Sequence, residues 1–294
     1  MVMVVEISKL TATKGYRPQA IDTTIETDLL CFALLRQKTV QEHLQMGAQL
    51  NRSARKFAIA GFRRQFAHLS FTQFSRKLAE AWLPNCPSTY IPQGSEMTWI
   101  QDSIQLAGQL DSIFKQLSIP YYVTGGVAAI AYGEIRTTQD LDIVIEISTE
   151  QIVRLSDLLE QQGFYVAGLE QVITEQMKTL QITHIESISR ADLIVAVRND
   201  YEQLKFTRRQ SYPLESGIEI DLASPEDLIV SKLSWQQSEK QLRDVLGILK
   251  IQADNLDFAY IYHWAKVFGL TEVVDRLCVE AGLKAIADSR QDLN

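Results

Sequence analysis

Two aspartates separated by one residue begin an apolar segment near the middle of the chain. Asp140 and Asp142 precede the apolar residues 143–145, and alternate residues of a β-strand project to the same side of a sheet. Both carboxylates should therefore share one face, where they repel each other unless a cation lies between them. Oxygen ligands of this kind suit Mg²⁺, which keeps several waters and is completed by substrate phosphates. The pair predicts a magnesium site.

A pair of glycines lies upstream of the aspartates. Gly125 and Gly126 follow the apolar residues 121–123 and precede a short predicted helix. Glycine lets backbone N–H groups approach a phosphate closely at the N-terminus of a helix. Arg136 and Thr138, in the loop just before the aspartates, either contact phosphate or only order the loop. Together, the glycines and the carboxylates predict one site for phosphates and the metal that bridges them.

Each part of this pattern also has a plain structural interpretation. An Asp-x-Asp sequence at the start of a strand is often only solvated, and a Gly-Gly pair is often only a turn. The order of the parts favours function: strand, Gly-Gly, short helix, loop, then Asp-x-Asp before an apolar strand.

This order resembles the signature of the nucleotidyltransferase superfamily with the DNA polymerase beta fold. Thirteen residues separate the glycine pair from Asp-Leu-Asp, as in that signature. Residues 223–235 and 243–249 are similar to a bacterial branch that includes transferase-like proteins and the AbiEii-type toxins of toxin–antitoxin systems. The resemblance covers about residues 100–280 and assigns nothing to residues 1–95.

The resemblance implies an α+β chain with the nucleotidyltransferase fold. We expect a small mixed sheet flanked by helices, a helical N-terminal region and a helical C-terminal tail that closes the nucleotide cleft. Asp140 and Asp142 would bind two Mg²⁺ ions with an NTP, and a third carboxylate would activate the acceptor hydroxyl. Asp192 and Asp221 both qualify as the third carboxylate. The family order favours Asp192, although Ala191 stands where the family often has a basic residue.

Lys232 is the candidate for contact with the triphosphate. The resemblance implies this role, but its helical spacing from Leu228 equally suits a lysine that extends from an apolar face to water. Asp244 matches a position of the toxin branch, but an exposed helical aspartate next to Arg243 also has an ordinary explanation as an ion pair. His184 lies in an alternating strand and is expected to be a packed, hydrogen-bonded residue rather than a base.

The predicted reaction is transfer of a nucleoside monophosphate from an NTP to an acceptor hydroxyl, with pyrophosphate leaving. The acceptor is an RNA, with tRNA as one candidate, or a protein. The toxin branch adds a cognate toxin or antitoxin as an expected partner. The second interpretation is a nucleotide-binding or partner-neutralising module with little or no catalysis.

Several segments have the local patterns of regular secondary structure. Capping-box spacing marks helix starts at Thr39–Glu42, Ser70–Gln73 and Ser148–Gln151. Ser224 followed by proline marks another. Helices are expected over 22–83 and after 224, and strands at 121–124, 140–147, 181–187, 191–197 and 217–222.

Length and proline content suggest how the chain divides. The chain has 294 residues, 46% of them hydrophobic and 22% charged, which is typical of a soluble globular protein of about two domains. Three of the seven prolines lie within residues 83–95, where they predict a boundary. The predicted segments are a helical N-terminal domain of unknown role (1–83), a linker (84–95), a nucleotidyltransferase core (96–223) and a helical C-terminal segment (224–294).

Charge is distributed unevenly along the chain. Residues 1–95 hold 12 of the 29 basic and 6 of the 36 acidic residues, so their net charge is +6 and that of the remainder is −13. Mutual neutralisation of the two parts is the favoured explanation. Contact with nucleic acid or an acidic partner is the alternative. A solvated helix face is the favoured interpretation of a group of five basic residues, and contact with RNA phosphates is the alternative for them: Arg52, Arg55, Lys56, Arg63 and Arg64.

Other sequence features bear on the compartment. No apolar run reaches the roughly 18 residues of a membrane helix, and the first ten residues lack the pattern of a signal peptide. The three cysteines are too far apart for a zinc knuckle and indicate no disulfide framework. We therefore expect a cytoplasmic protein without a membrane partner.

Overall fold

The computed structural model describes residues 11–83, 86, 90–214 and 217–283. These residues fall into two compact units. The first unit takes its residues from 1–43, 128–135 and 224–294, and the second from 44–127 and 136–223. The predicted segments 1–83 and 96–223 thus both contribute to the second unit.

The described residues contain thirteen α-helices and seven β-strands. The helices are α1 (Ile25–Leu35), α2 (Val40–Gln65), α3 (Phe71–Trp82), α4 (Glu96–Trp99), α5 (Ser103–Gln116), α6 (Gly125–Tyr132), α7 (Thr149–Gln161), α8 (Leu169–Ile173), α9 (Asp200–Arg208), α10 (Pro225–Trp235), α11 (Glu239–Gln252), α12 (Phe258–Val267) and α13 (Thr271–Glu280). The strands are β1 (Tyr121–Thr124), β2 (Asp140–Ile145), β3 (Phe164–Ala167), β4 (Thr179–His184), β5 (Ser189–Val195), β6 (Gln210–Pro213) and β7 (Glu219–Leu222). None of these helices combines the length and the apolar character needed to cross a membrane.

All seven strands lie in the second unit and form one sheet in the order β3-β4-β5-β2-β1-β7-β6. The pairs β2–β5 and β1–β7 are parallel, and the other neighbouring strands are antiparallel. Helices pack against this sheet, α5 on β2, β5 and β7, and α7 on β3. The predicted class is therefore confirmed: an α+β chain with a mixed sheet flanked by helices and with helical N- and C-terminal regions.

Alternation along β2 separates its buried and polar faces. Leu141 and Ile143 are fully buried, as expected for apolar residues between the aspartates and after them. The helix α5 buries Leu106, Leu110 and Phe114 completely, and their spacing of four residues forms one continuous apolar stripe. This packing makes β2 a rigid support for the polar residues on its other face.

The helices before the predicted linker share a core with residues after it. Phe74 and Leu78 of α3 pack in one apolar cluster with Trp99 and Ile188, and the first three of these are fully buried. The predicted capping box starts α3. The linker itself stays a prediction, because residues 84, 85 and 87–89 lie outside the described residues.

A buried ion pair ties the N-terminal helix of the first unit to α11. Lys250 is completely buried, and its Nζ donates to Asp28 Oδ2 and to the carbonyl oxygen of Arg17, each at 2.6 Å. Asp28 also accepts from the Tyr16 hydroxyl at 2.6 Å.

Ser224 caps α10 with Pro225 in its first turn, as predicted.

The boundaries of several predicted elements differ in the structure. The expected strands at 181–187 and 191–197 begin and end earlier, as β4 and β5, and the helical stretch 22–83 divides into three helices. The strands β3 and β6 were not predicted. β6 lies at the edge of the sheet and is largely exposed, so its residues lack the apolar alternation that would indicate a strand.

Candidate active site

The candidate carboxylates lie on two neighbouring parallel strands. In the register of β2 and β5, Asp142 is the Cα partner of Asp192, and Asp140 is the partner of Arg190. Because side chains alternate along each strand, these four polar side chains share one face of the sheet. The intervening Leu141 is buried on the other face. The fold thus brings together the three predicted metal ligands, which are up to 52 positions apart in the sequence.

Arg190 lies against the candidate carboxylates and was not among the predicted site residues. Its Nη2 lies 3.2 Å from Asp140 Oδ1 and 3.4 Å from Asp192 Oδ2. The available signal was its position two residues before Asp192 on the same strand, which places both side chains on one face. Arg190 supplies positive charge to two of the three carboxylates.

The surroundings of Asp192 shift the pKa of its carboxyl group. Burial raises its pKa above the usual range, and the negative charges of Asp142 and Asp140 raise it further, while Arg190 lowers it. Its Oδ1 is buried and has no hydrogen-bond partner among the residues that the structure describes. A buried carboxylate oxygen without a partner indicates a cation or a donor that binds there.

Asp221 occupies a different place from Asp192. It lies on β7, which β1 separates from β2. Its Oδ2 accepts from Arg209 Nε at 2.9 Å, and its Oδ1 accepts from the Ser211 hydroxyl. Of the two candidates for the third carboxylate, only Asp192 is in register with Asp142.

The glycine pair lies where β1 ends and α6 begins. Gly125 has φ +61°, and a Cβ there would come within 1.9 Å of Asp142 Oδ2. A Cβ on Gly126 would come within 2.4 Å of Thr138 Oγ1. Both positions therefore exclude a side chain. At Gly125 the positive φ and the contact with Asp142 exclude it, and at Gly126 the contact with Thr138 excludes it. This close approach places the first turn of α6 against Asp142 and the loop before β2.

The loop before β2 is held by a residue from α2. Thr138 N donates to Asn51 Oδ1 at 2.9 Å, and Thr138 Oγ1 donates to the carbonyl oxygen of Asp140 at 3.2 Å. Arg136 Nη1 donates to the carbonyl oxygen of Thr137 at 2.9 Å. Asn51 was not predicted, and an isolated asparagine within a helix gives no signal of such a contact.

The carboxylates on this face of the sheet have the chemistry that a divalent cation requires. Three carboxylates provide hard oxygen ligands, and the partnerless Oδ1 of Asp192 is one of them. In the described part of the chain, no three His, Cys, Asp or Glu side chains are already gathered as a metal cluster. Arg190 contributes the positive charge near Asp140 and Asp192 instead.

Lys232 lies in the first unit, whereas the other predicted site residues lie in the second. Its side chain is 6% exposed, and its Nζ lies 2.8 Å from Asp244 Oδ2 and 2.9 Å from Gln241 Oε1. Asp244 therefore has a buried ion-pair partner, which is Lys232 rather than Arg243. Arg243 instead pairs with Glu134 at 2.7 Å. The contact of Lys232 with a triphosphate stays a prediction.

Three of the five candidate RNA-binding residues on α2 have partners within the second unit. Arg52 pairs with Asp102 at 2.7 Å, and Arg63 pairs with Glu96. Arg55 donates to the carbonyl oxygen of Trp99 at 2.9 Å. The two ion pairs favour neutralisation within the chain over RNA contact for Arg52 and Arg63.

His184 is packed and hydrogen-bonded, as predicted. Its Nδ1 lies 3.0 Å from Ser187 Oγ, and its ring centroid is 4.9 Å from that of Phe164. Burial lowers the pKa of His184 below its usual value.

The chain is only distantly similar to the known proteins found by comparison. No protein-family model matches the sequence, and no curated protein matches it. A solved structure of an antigenic nucleotidyltransferase-like protein from Paracoccidioides brasiliensis is 16% identical, with a TM-score of 0.41 over 61% of this chain and 93% of that one. The ANT(2″)-Ia structure in complex with adenylyl-2″-tobramycin is 14% identical, with a TM-score of 0.40 over 56% of this chain and 96% of that one. The lincomycin-bound lincosamide antibiotic adenylyltransferase LnuA is 14% identical, with a TM-score of 0.37 over 49% and 94%. Likeness at this level assigns no substrate or activity to the chain.

Proposed function

We propose that this chain is a Mg²⁺-dependent nucleotidyltransferase that moves a nucleoside monophosphate from an NTP to an acceptor hydroxyl. The observation that carries the proposal is the register that sets Asp142 beside Asp192, with Asp140 on the same face. Gly125, packed against Asp142, and Gly126, packed against Thr138, add a backbone surface that a phosphate can approach.

The three carboxylates and the two glycines have different roles in the proposed reaction. Asp140 and Asp142 would hold the metal ions, and Asp192 would hold the ion on the acceptor side. When bound, Mg²⁺ supplies charge that neutralises the phosphates and lowers the pKa of the attacking hydroxyl. Backbone N–H groups at Gly125 and Gly126 bind and orient the phosphates.

Other side chains complete the phosphate contacts. Arg136 and Thr138 lie in the loop against Gly126, where the Arg136 guanidinium would donate to phosphate oxygens. The Thr138 hydroxyl would donate to a phosphate oxygen in place of the carbonyl oxygen of Asp140. Arg190 neutralises Asp140 and Asp192 before the metal binds. With a cation held by these carboxylates, the Arg190 guanidinium would be free to pair with a phosphate. Lys232 is retained as a proposed contact of the triphosphate.

The proposed acceptor is a hydroxyl of RNA, with tRNA as one candidate, or of a protein side chain. A cognate toxin or antitoxin is the proposed protein partner, because the motif residues resemble the AbiEii-type branch. The alternative is a module that binds nucleotide or a partner without catalysis, and it differs in one measurable respect: nucleotide binds but no label is transferred.

The substitution Asp142→Asn tests the proposal. Wild type should transfer label from an α-³²P-labelled NTP to RNA or protein of a cell lysate when Mg²⁺ is present, and the variant should lose all detectable transfer. In EDTA, the variant should melt no lower than wild type, because one of several like charges is removed. Mg²⁺ with NTP should raise the melting temperature of wild type through binding to the folded state, and the variant should lose most of this rise.

Asp221→Asn is the matched control, because it neutralises a carboxylate outside the group of three. It should keep both the transfer and the Mg²⁺-dependent rise in melting temperature. The proposal is wrong if Asp142→Asn keeps that rise, or if wild type binds NTP tightly and transfers no label to any acceptor tested. The second outcome supports the binding module.

A further inference from the structure

A small cavity lies beside Asp140 in the second unit. Its volume is about 120 Å³, and residues of α2, the end of α3, the loop before β2 and β5 line it. Trp82 forms part of the apolar wall, and Asn51, Arg55 and Arg190 contribute nitrogen donors. The residues from α2 and α3 belong to the part of the chain that the motif resemblance leaves without a role.

Two of the residues that line this cavity have a buried donor without an acceptor. Asn51 is 4% exposed, and the hydrogen bond from Thr138 N to its Oδ1 fixes the orientation of the amide. Asn51 Nδ2 is therefore a donor, and it has no hydrogen-bond partner among the described residues. The same is true of Arg190 Nε. Buried donors without acceptors are rare and costly, so a ligand that offers acceptor atoms is indicated.

The charge of the cavity points to the kind of acceptor. Arg55 donates to carbonyl and hydroxyl oxygens, the nearest being the carbonyl oxygen of Trp99 at 2.9 Å, and forms no ion pair with any described residue. Its guanidinium carbon lies 4.8 Å from the ring centroid of Trp82. Burial lowers the pKa of Arg55 to about 10, which leaves it charged at neutral pH. Arg190 is shared by Asp140 and Asp192, so Arg55 is the cation of the cavity lining that has no carboxylate in contact among the described residues.

We infer that this cavity is a binding subsite for an oxyanion of the phosphate class. Its volume of about 120 Å³ leaves room for a phosphate group. The phosphate comes either from the NTP or from the acceptor, since the cavity borders Asp140. The inference does not rest on the proposed transfer reaction, because anion binding here needs neither a metal nor catalysis.

The substitution Asn51→Asp separates binding from structure. An aspartate keeps the acceptor for Thr138 N, but it replaces the partnerless Nδ2 donor with a negative oxygen near Arg55 and Arg190. Inorganic phosphate titrated into the full chain in EDTA should bind the variant at least about tenfold more weakly than wild type. In phosphate-free buffer, the variant should melt no lower than wild type, because the new carboxylate supplies the anion that the cavity lacks.

Two further variants keep the result unambiguous. Asn199→Asp is the matched control, because Asn199 also accepts a backbone N–H, at the start of α9, and aspartate serves equally as an N-cap. It should leave phosphate affinity unchanged. Ala58→Leu fills the cavity from α2 without changing charge and retains a strong helix former. It should also weaken phosphate binding by at least about tenfold, since the space for the anion is lost.

A competition measurement identifies the source of the phosphate. If Mg²⁺ with a non-hydrolysable NTP abolishes binding of inorganic phosphate, the subsite takes a phosphate of the NTP. If phosphate binds with unchanged affinity, the subsite serves the acceptor. The inference is overturned if wild type does not bind inorganic phosphate. It is also overturned if Asn51→Asp and Ala58→Leu bind phosphate as wild type does.

Discussion

Arg190 and Lys232 both contact carboxylates, but the carboxylates that they contact differ in exposure. The side chains of Asp140 and Asp192, which Arg190 touches, are 46% and 19% exposed, so ions from solvent can reach them. The side chains of Lys232 and Asp244 are 6% and 4% exposed. The exposure of Asp140 and Asp192 would allow a metal ion to replace Arg190 as their counter-charge. Burial instead holds Lys232 and Asp244 in one arrangement.

Replacing Lys232 with methionine should destabilise the protein strongly. The change leaves the Asp244 carboxylate buried without its main counter-charge, which typically costs about 3–5 kcal/mol. Adding Asp244→Leu should recover most of this loss, because the double variant buries neither charge. Urea denaturation of wild type, both single variants and the double variant measures the coupling. A loss below about 1 kcal/mol for Lys232→Met would contradict this account of the pair.

The folded double variant also tests the predicted contact of Lys232 with the triphosphate. If Lys232 binds the triphosphate, nucleotide affinity should fall in this variant although stability is restored. Unchanged affinity would assign the lysine to the ion pair alone.

At the scale of elements, the junction of β1 and α6 depends on contacts that leave no space for side chains. Gly126 lies against Thr138, and Thr138 is in turn held by Asn51 of α2. Two elements and one loop therefore meet around the start of α6. Any group larger than hydrogen at position 126 must move the loop that leads into β2.

Gly126→Ala should lower the free energy of unfolding by about 1–3 kcal/mol, because the added Cβ would lie 2.4 Å from Thr138 Oγ1. The matched control is Gly61→Ala in α2, where an added Cβ meets no atom within 4 Å. This control should instead stabilise the protein by roughly 0.5–1 kcal/mol, since alanine favours a helix interior over glycine. Urea denaturation measures the change in the free energy of unfolding for each variant. Equal changes at the two positions would contradict the close contact between Gly126 and Thr138.

At the scale of the whole molecule, ion pairs join the basic N-terminal part to the acidic remainder. Arg52 pairs with Asp102, and Arg63 pairs with Glu96. Arg63 also lies over the ring of Phe74, 3.7 Å from its centroid. The opposite net charges of the two parts of the sequence thus partly neutralise each other within the second unit.

The shared core has a consequence for truncation. A chain that begins at residue 96 loses Phe74 and Leu78, which pack in one cluster with the fully buried Trp99. We expect this truncated chain to aggregate, because it exposes a large apolar surface. A full chain cleaved at a protease site engineered within 84–89 should keep both pieces together. Size-exclusion chromatography distinguishes the two results, and a soluble, folded, monomeric 96–294 chain would contradict the expectation.

The sequence alone indicated the elements whose patterns are local. The capping boxes at Ser70 and Ser148 and the cap at Ser224 all start helices where predicted. Alternation predicted that Asp140 and Asp142 share a face of a strand. These features depend on neighbours within four residues, where side-chain period and capping chemistry decide the backbone conformation.

Only the tertiary structure decided which distant side chains meet. The pairing of Asp142 with Asp192 depends on the register of two parallel strands. The position of Arg190 between carboxylates follows from the same register, and Asn51 reaches Thr138 across 87 residues. Strand register and helix packing are set by burial of whole apolar faces, summed over many contacts, so no local pattern specifies them. The sequence therefore determined the candidate ligands and the elements that carry them, while packing of those elements determined the charge, the partners and the cavity beside them.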